Sequence, residues 1–130
     1  MAIAMCVGDN FSGQYHPDDG IGPNILVSAD SIAVGDDIVL ETRIEFSSPV
    51  AVMQARVRSA TDEALSGSAM QSAFAELRRI TRTIGDARVL CDGKRPTYAM
   101  ISSYGDPTQI AVAFMRRRNY CGVPRMYRRA

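Results

Sequence analysis

The sequence predicts an α+β domain: an antiparallel sheet of short strands and hairpins packed against one main helix, about residues 69–84, with extended N- and C-terminal arms. Three observations point there. Residues 38 to 46 alternate in polarity with a period of two, as a half-buried strand does. Met70, Phe74, Leu77 and Ile84 recur at helical spacing behind a capping box formed by Ser68 and Gln71. Turn signals rich in Gly, Asp and Pro break the remainder into short apolar pieces. A sheet with one apolar face and a helix with one apolar stripe bury each other.

Residues 1 to 7 read as a short strand, and residues 8 to 24 as a loop or arm whose Gly, Asp, Asn and Pro content disfavours regular structure. Short apolar pieces follow at 25 to 27 and 32 to 34, then a turn at Gly35-Asp36-Asp37. Ile38, Leu40, Ile44 and Phe46 line one face of the next strand, with Glu41, Arg43 and Glu45 on the other. Residues 49 to 65 admit two readings. Ser48 and Pro49 suit the start of a helix. A hairpin loop over residues 47 to 50 would instead set Ile44 against Met53 and Glu41 against Arg56, so that apolar and charged positions agree together. Register favours the hairpin. In the helix over 69–84, Gly85 suits the C-terminal cap, and Arg78, Arg79 and Arg82 suit the negative end of the dipole. Beyond it, residues 87 to 91 and 97 to 103 read as strands around an Asp92-Gly93 turn. Residues 109 to 115 are apolar on both faces, as in a strand covered on both sides.

The chain has 130 residues, 46% of them apolar and 22% charged, which excludes wholesale disorder, collagen and coiled coil. The length suits one domain, 1–130: an N-terminal strand and loop arm (1–24), an α+β core (25–115) and a basic C-terminal arm (116–130). The net charge of +1 is uninformative, but its layout is not. Seven acids precede the first basic residue, Arg43, and after Asp106 there is no acid at all. Cys6, Cys91 and Cys121 are odd in number and widely spaced, without a CxxC pair, and read as free thiols of a reducing compartment. No apolar run of 18 residues exists and the start lacks a basic n-region, so neither a membrane span nor a signal peptide is expected. The expected location is the cytoplasm or the inside of an assembled particle.

Catalytic chemistry finds little support. His16 is the sole histidine, which excludes two-His metal sites, and its neighbours Asp18 and Asp19 suit a turn better than a dyad. No phosphate-cradling loop and no G-x-S-x-G elbow occur. The expectation is therefore no catalytic, cofactor or metal site. The most suggestive feature is the C-terminal interleaving of Arg116, Arg117, Arg118, Tyr120, Arg125, Tyr127, Arg128 and Arg129. Arginine neutralises phosphate and tyrosine stacks on bases or packs in interfaces. The sequence thus points to a non-enzymatic interaction protein: a self-assembling subunit of phage or capsid-like kind, or a small inhibitor- or immunity-type binder of one protein partner. Its acidic first third would complement its basic last third between copies. The alternative is binding of RNA or single-stranded DNA through the arm. No membrane partner is expected.

Overall fold

The computed structural model describes residues 11–49, 74–103, 108–117, 119–121 and 124–130. They form β1 (Gly13–Pro17), β2 (Ile25–Val27), β3 (Ser31–Val34), β4 (Ile38–Pro49), β5 (Phe74–Ile84), β6 (Tyr98–Ser103), β7 (Gln109–Arg116), β8 (Asn119–Tyr120) and β9 (Arg125–Arg129). Every pairing is antiparallel. Strands β1 to β7 follow one another around a ring, and β9 closes it between β7 and β1. The short β8 hangs on the end of β7. The result is a closed eight-stranded barrel with no α-helix among the described residues, not the expected α+β fold.

The main correction concerns residues 74 to 84. They form β5, which pairs with β4 on one side and β6 on the other. Phe74 and Ile84, expected on the buried helical stripe, are exposed (39% and 45%). The period is two instead: Glu76, Arg78 and Ile80 point into the barrel. Two charged residues at inward positions conceal the alternation, while the β-branched run Ile80, Thr81, Thr83 and Ile84 favours a strand. Met70, Ser68 and Gln71 lie outside the described residues, as does the expected partner strand at 51 to 57. A hairpin loop over 47 to 50 does not form, because β4 continues to Pro49 opposite Phe74. Two register shifts bend this long ribbon, leaving Thr81 of β5 and Glu45 of β4 as extra residues.

The two arms are also corrected. Residues 13 to 17 and 125 to 129, expected to project, are the barrel strands β1 and β9, paired with each other from Tyr15–Arg129 to Pro17–Tyr127. Residues 87 to 91 are not a strand: Ala87–Leu90 is a 3-10 turn capped by Asp86, which accepts from the Arg88 amide.

The interior is filled by side chains, as in other barrels of eight strands. Tyr15, Ile25, Ile32, Leu40, Ile101 and Ile110 are fully buried. Each such aliphatic side chain contributes about 1.5–3 kcal/mol relative to exposure. β7 is buried on both faces: Ile110 and Val112 join the core, and Ala111, Ala113 and Met115 are buried at the alternate positions.

Gly85 leaves β5 with φ +87°, and a Cβ placed there would lie 2.0 Å from the Asp37 carbonyl oxygen. Backbone handedness and contact thus both require glycine. Gly85→Ala is expected to cost about 2 kcal/mol or more and to lower Tm by about 5–10 °C in a thermal melt.

Candidate functional site

Strand β9 explains the interleaved arginines and tyrosines. Tyr127 pairs with Ile110, and both belong to the core, so the inward set of β9 is Arg125, Tyr127 and Arg129. Tyr127 is 3% exposed. The Arg125 guanidinium lies 5.9 Å from its ring centroid, and that of Arg129 lies 4.9 Å from the Tyr15 ring. Arg129 also donates to the Ser12 carbonyl at 2.8 Å, and the Tyr15 hydroxyl donates to the Phe11 carbonyl at 2.9 Å. Burial pushes the phenols of Tyr15 and Tyr127 above their ordinary range, against the opposing pull of Arg129 and Arg125. The pattern that suggested base stacking is therefore the period of a strand whose inward positions carry stacked cations and rings.

The other arginines separate from these. Arg128 points outward and donates to Asp18 at 3.0 Å. Arg116 is exposed at the end of β7 and donates to the Arg95 carbonyl. Arg117 occupies the turn after β7 with φ +57°, its amide donating to Thr97 Oγ1 at 2.9 Å. Tyr120 lies on β8, with its hydroxyl 3.7 Å from Met100 Sδ. Arg118 lies outside the described residues. Of the seven described residues, Arg125, Tyr127 and Arg129 share the inward face of β9, Arg128 lies on its outward face, and Arg116, Arg117 and Tyr120 lie around the end of β7.

The acidic start and basic end meet within one chain. Arg125 pairs with Asp19 at 3.5 Å, and Arg128 with Asp18 at 3.0 Å. Asp18 also accepts from Gln109, and Asp19 from the Ile21 amide. His16 is exposed beside its own turn, Nδ1 being 3.4 Å from the Pro17 carbonyl oxygen. Among the described residues no group of three or more His, Cys, Asp or Glu could hold a metal ion. Nor is any helix among them long and apolar enough to cross a membrane.

A cavity of about 580 Å³ opens at the barrel end formed by the β1–β2, β3–β4, β5–β6 and β7–β9 connections. That volume falls in the usual range for binding pockets, about 300–1,000 Å³. Val112, Phe114 and Tyr127 line its inner part, and Pro23, Val34 and Leu90 line its sides. Polar groups converge at the edge: Arg125, Asp36 and Asp37. Among the described residues neither Asp36 nor Asp37 forms an ion pair, whereas Arg125 is held by Asp19 and by the Ile21 carbonyl. Exposed apolar side chains cluster at the same end. Val89, on the cavity lining, is 71% exposed, and Ile21, whose carbonyl holds Arg125, is 68% exposed.

One wall of this mouth is fastened covalently. Cys91, just after the 3-10 turn, is disulfide-bonded to Cys121, which itself lines the cavity. The free-thiol expectation for these two is thereby corrected; Cys6 lies outside the described residues. Sequence reasoning missed the mouth because its residues come from four separate connections. The local signals were only an unpaired Asp36-Asp37 turn and solitary apolar residues in polar loops.

The class defined by fold and site is a small closed antiparallel β-barrel with an open, amphiphilic mouth. No protein-family model matches the chain, and no curated protein or solved structure matches it.

Proposed function

We propose that the protein is a non-enzymatic interaction protein that holds a protein partner at the open mouth of its barrel. The observation that carries this reading is the coincidence of the cavity with exposed Ile21 and Val89 and with the two carboxylates of Asp36 and Asp37, which form no ion pair among the described residues. Val89 on the cavity lining and Ile21 outside it are both exposed and extend the contact area beyond what one small ligand covers, which favours a protein segment. The chemistry selects an apolar anchor for the cavity with a basic residue beside it for the carboxylates. A second copy of the chain and a dedicated partner both satisfy it. The charge complementarity expected between copies is satisfied within one chain by Arg125–Asp19 and Arg128–Asp18, which weakens the electrostatic case for head-to-tail assembly.

Native mass by light scattering is the first test, on the intact chain and on Val89→Asp. A particle larger than 14.2 kDa that Val89→Asp reduces to the monomer assigns the mouth to self-assembly. If the intact chain is monomeric, displayed random peptides replace it as the probe. Selected peptides are expected to share an apolar residue beside Lys or Arg, and to lose binding to Val89→Asp and to Asp36→Asn/Asp37→Asn. Assembly or peptide binding that both variants leave untouched would refute the reading.

A further inference from the structure

A second surface lies on the outer wall and owes nothing to the mouth. Register places Arg43 of β4 opposite Arg79 of β5, Arg79 opposite Tyr98 of β6, Tyr98 opposite Met115 of β7, and Met115 opposite Tyr120 of β8. Directly paired residues of antiparallel strands share a face. Arg78 and Ala99, next in sequence, point inward, so this row points out. With strands about 4.8 Å apart, its four intervals span about 19 Å along the curved wall. Arg43 and Arg79 are exposed, Tyr98 and Tyr120 are half-buried, and Met115 is buried, so the accessible part of the row is its Arg43–Arg79–Tyr98 stretch. Arg95, Arg116 and Arg117 adjoin its β6–β7 end, where Arg116 bonds the Arg95 carbonyl and the Arg117 amide bonds Thr97.

Two features of the row oppose stability. Arg43 and Arg79 face each other as like charges, and among the described residues neither forms an ion pair. Glu41 and Glu45 flank Arg43 along β4, but Glu41 pairs with Arg82 at 3.7 Å. Arg117 holds a left-handed conformation that glycine or asparagine adopts at lower cost. Facing arginines and a strained arginine are retained at a cost that an anionic ligand would offset. Tyr98 specifies that anion further. Two adjacent exposed guanidinium groups with an aromatic ring next to them match a phosphate backbone with an unstacked base lying on the ring.

We propose that this outer row, with Arg43, Arg79, Tyr98 and the adjoining Arg117 as its contacts, binds single-stranded nucleic acid. The cations take the phosphates and Tyr98 stacks on a base. Three phosphate contacts give a single-strand salt slope of about −2.1 on logarithmic axes, so affinity falls about eighteen-fold between roughly 50 and 200 mM salt.

The test is fluorescence anisotropy of the intact chain with labelled oligothymidine and oligouridine of roughly twelve nucleotides, a duplex, and a poly-glutamate peptide. Salt-dependent binding of the single strands in preference to the duplex and the peptide is expected. Arg43→Ala and Arg79→Ala should each reduce the salt slope by about 0.7, and Tyr98→Ala should weaken binding about tenfold. Arg117→Gly is decisive because it relieves backbone strain: it should raise Tm while weakening binding. Arg128→Ala, outside the row, should change nothing. The proposal fails if neither strand binds at roughly 50 mM salt, if poly-glutamate competes equally and Tyr98→Ala has no effect, or if Arg128→Ala weakens binding as much as Arg79→Ala. The poly-glutamate outcome would make the row a site for an acidic protein.

Discussion

Arg78→Met is expected to destabilise the barrel by about 3–5 kcal/mol, while Glu76→Leu/Arg78→Met recovers most of that loss. The side chains of Arg78 and Glu76 are 0% and 1% exposed, with Nε and Oε2 2.6 Å apart. Arg78 also donates to the Ser28 carbonyl at 2.6 Å and to Thr42 Oγ1 at 3.2 Å, tying β5 to β4 and to the β2–β3 turn. Removing the guanidinium alone leaves a carboxylate without a counter-charge in the barrel interior and orphans those acceptors. The pair is itself incompletely satisfied, since Glu76 Oε1 and Arg78 Nη2 have no hydrogen-bond partner among the described residues. Two apolar residues of similar volume avoid the desolvation of both ions, so the double variant should approach or exceed the parent. Urea unfolding midpoints decide the matter. Equal losses in the single and double variants would mean that the bonds to Ser28 and Thr42, not charge pairing, set the cost.

The same pair gives stability a pH dependence of defined sign. Burial pushes the Glu76 carboxyl above its ordinary range, and Arg78 only partly opposes this. The folded barrel therefore binds this proton more tightly than the unfolded chain does. Its contribution is fully present below the unfolded value, near 4.5, and is lost as pH rises through the raised folded value. Arg78→Met removes the opposing charge and should move that loss to higher pH. Unfolding free energy measured across acid to neutral pH should show the decline in the parent and not in Glu76→Gln.

These charges also show why the fold was only partly legible in the sequence. β3, β6, β7 and the start of β4 are visible in it because their inward positions carry Ile, Val, Leu and Ala. β5 is concealed because its inward positions are Glu76 and Arg78, and what remains is the accidental helical spacing of Phe74, Leu77 and Ile84. β1 and β9 are concealed for a related reason. Each has only five residues, and their inward sets, with Tyr15, Pro17, Arg125, Tyr127 and Arg129, resemble a polar arm until the strands lie side by side. Patterning reads burial from apolarity, so it fails where a barrel buries charge by pairing or stacking it. The mouth is less legible still, because it exists only when four distant connections come to one end.

Cys91→Ser/Cys121→Ser is expected to lower stability by about 3–4 kcal/mol, the chain-entropy value for a bridge closing 30 residues. The Cα atoms lie 4.8 Å apart, within the normal span of a disulfide. The bridge fastens the end of the 3-10 turn, which carries Val89 and Leu90, to the segment after β8, so it holds one wall of the cavity against another. Losing it should therefore weaken binding at the mouth as well as lower the urea midpoint. Reductant added to the parent should reproduce both changes and add nothing in the double variant. A parent whose midpoint ignores reductant would show that the bridge contributes no stability. Because disulfides persist in oxidising compartments and open in reducing ones, the intact mouth belongs to the oxidised protein. A partner bound there would be held more weakly wherever thiols are kept reduced.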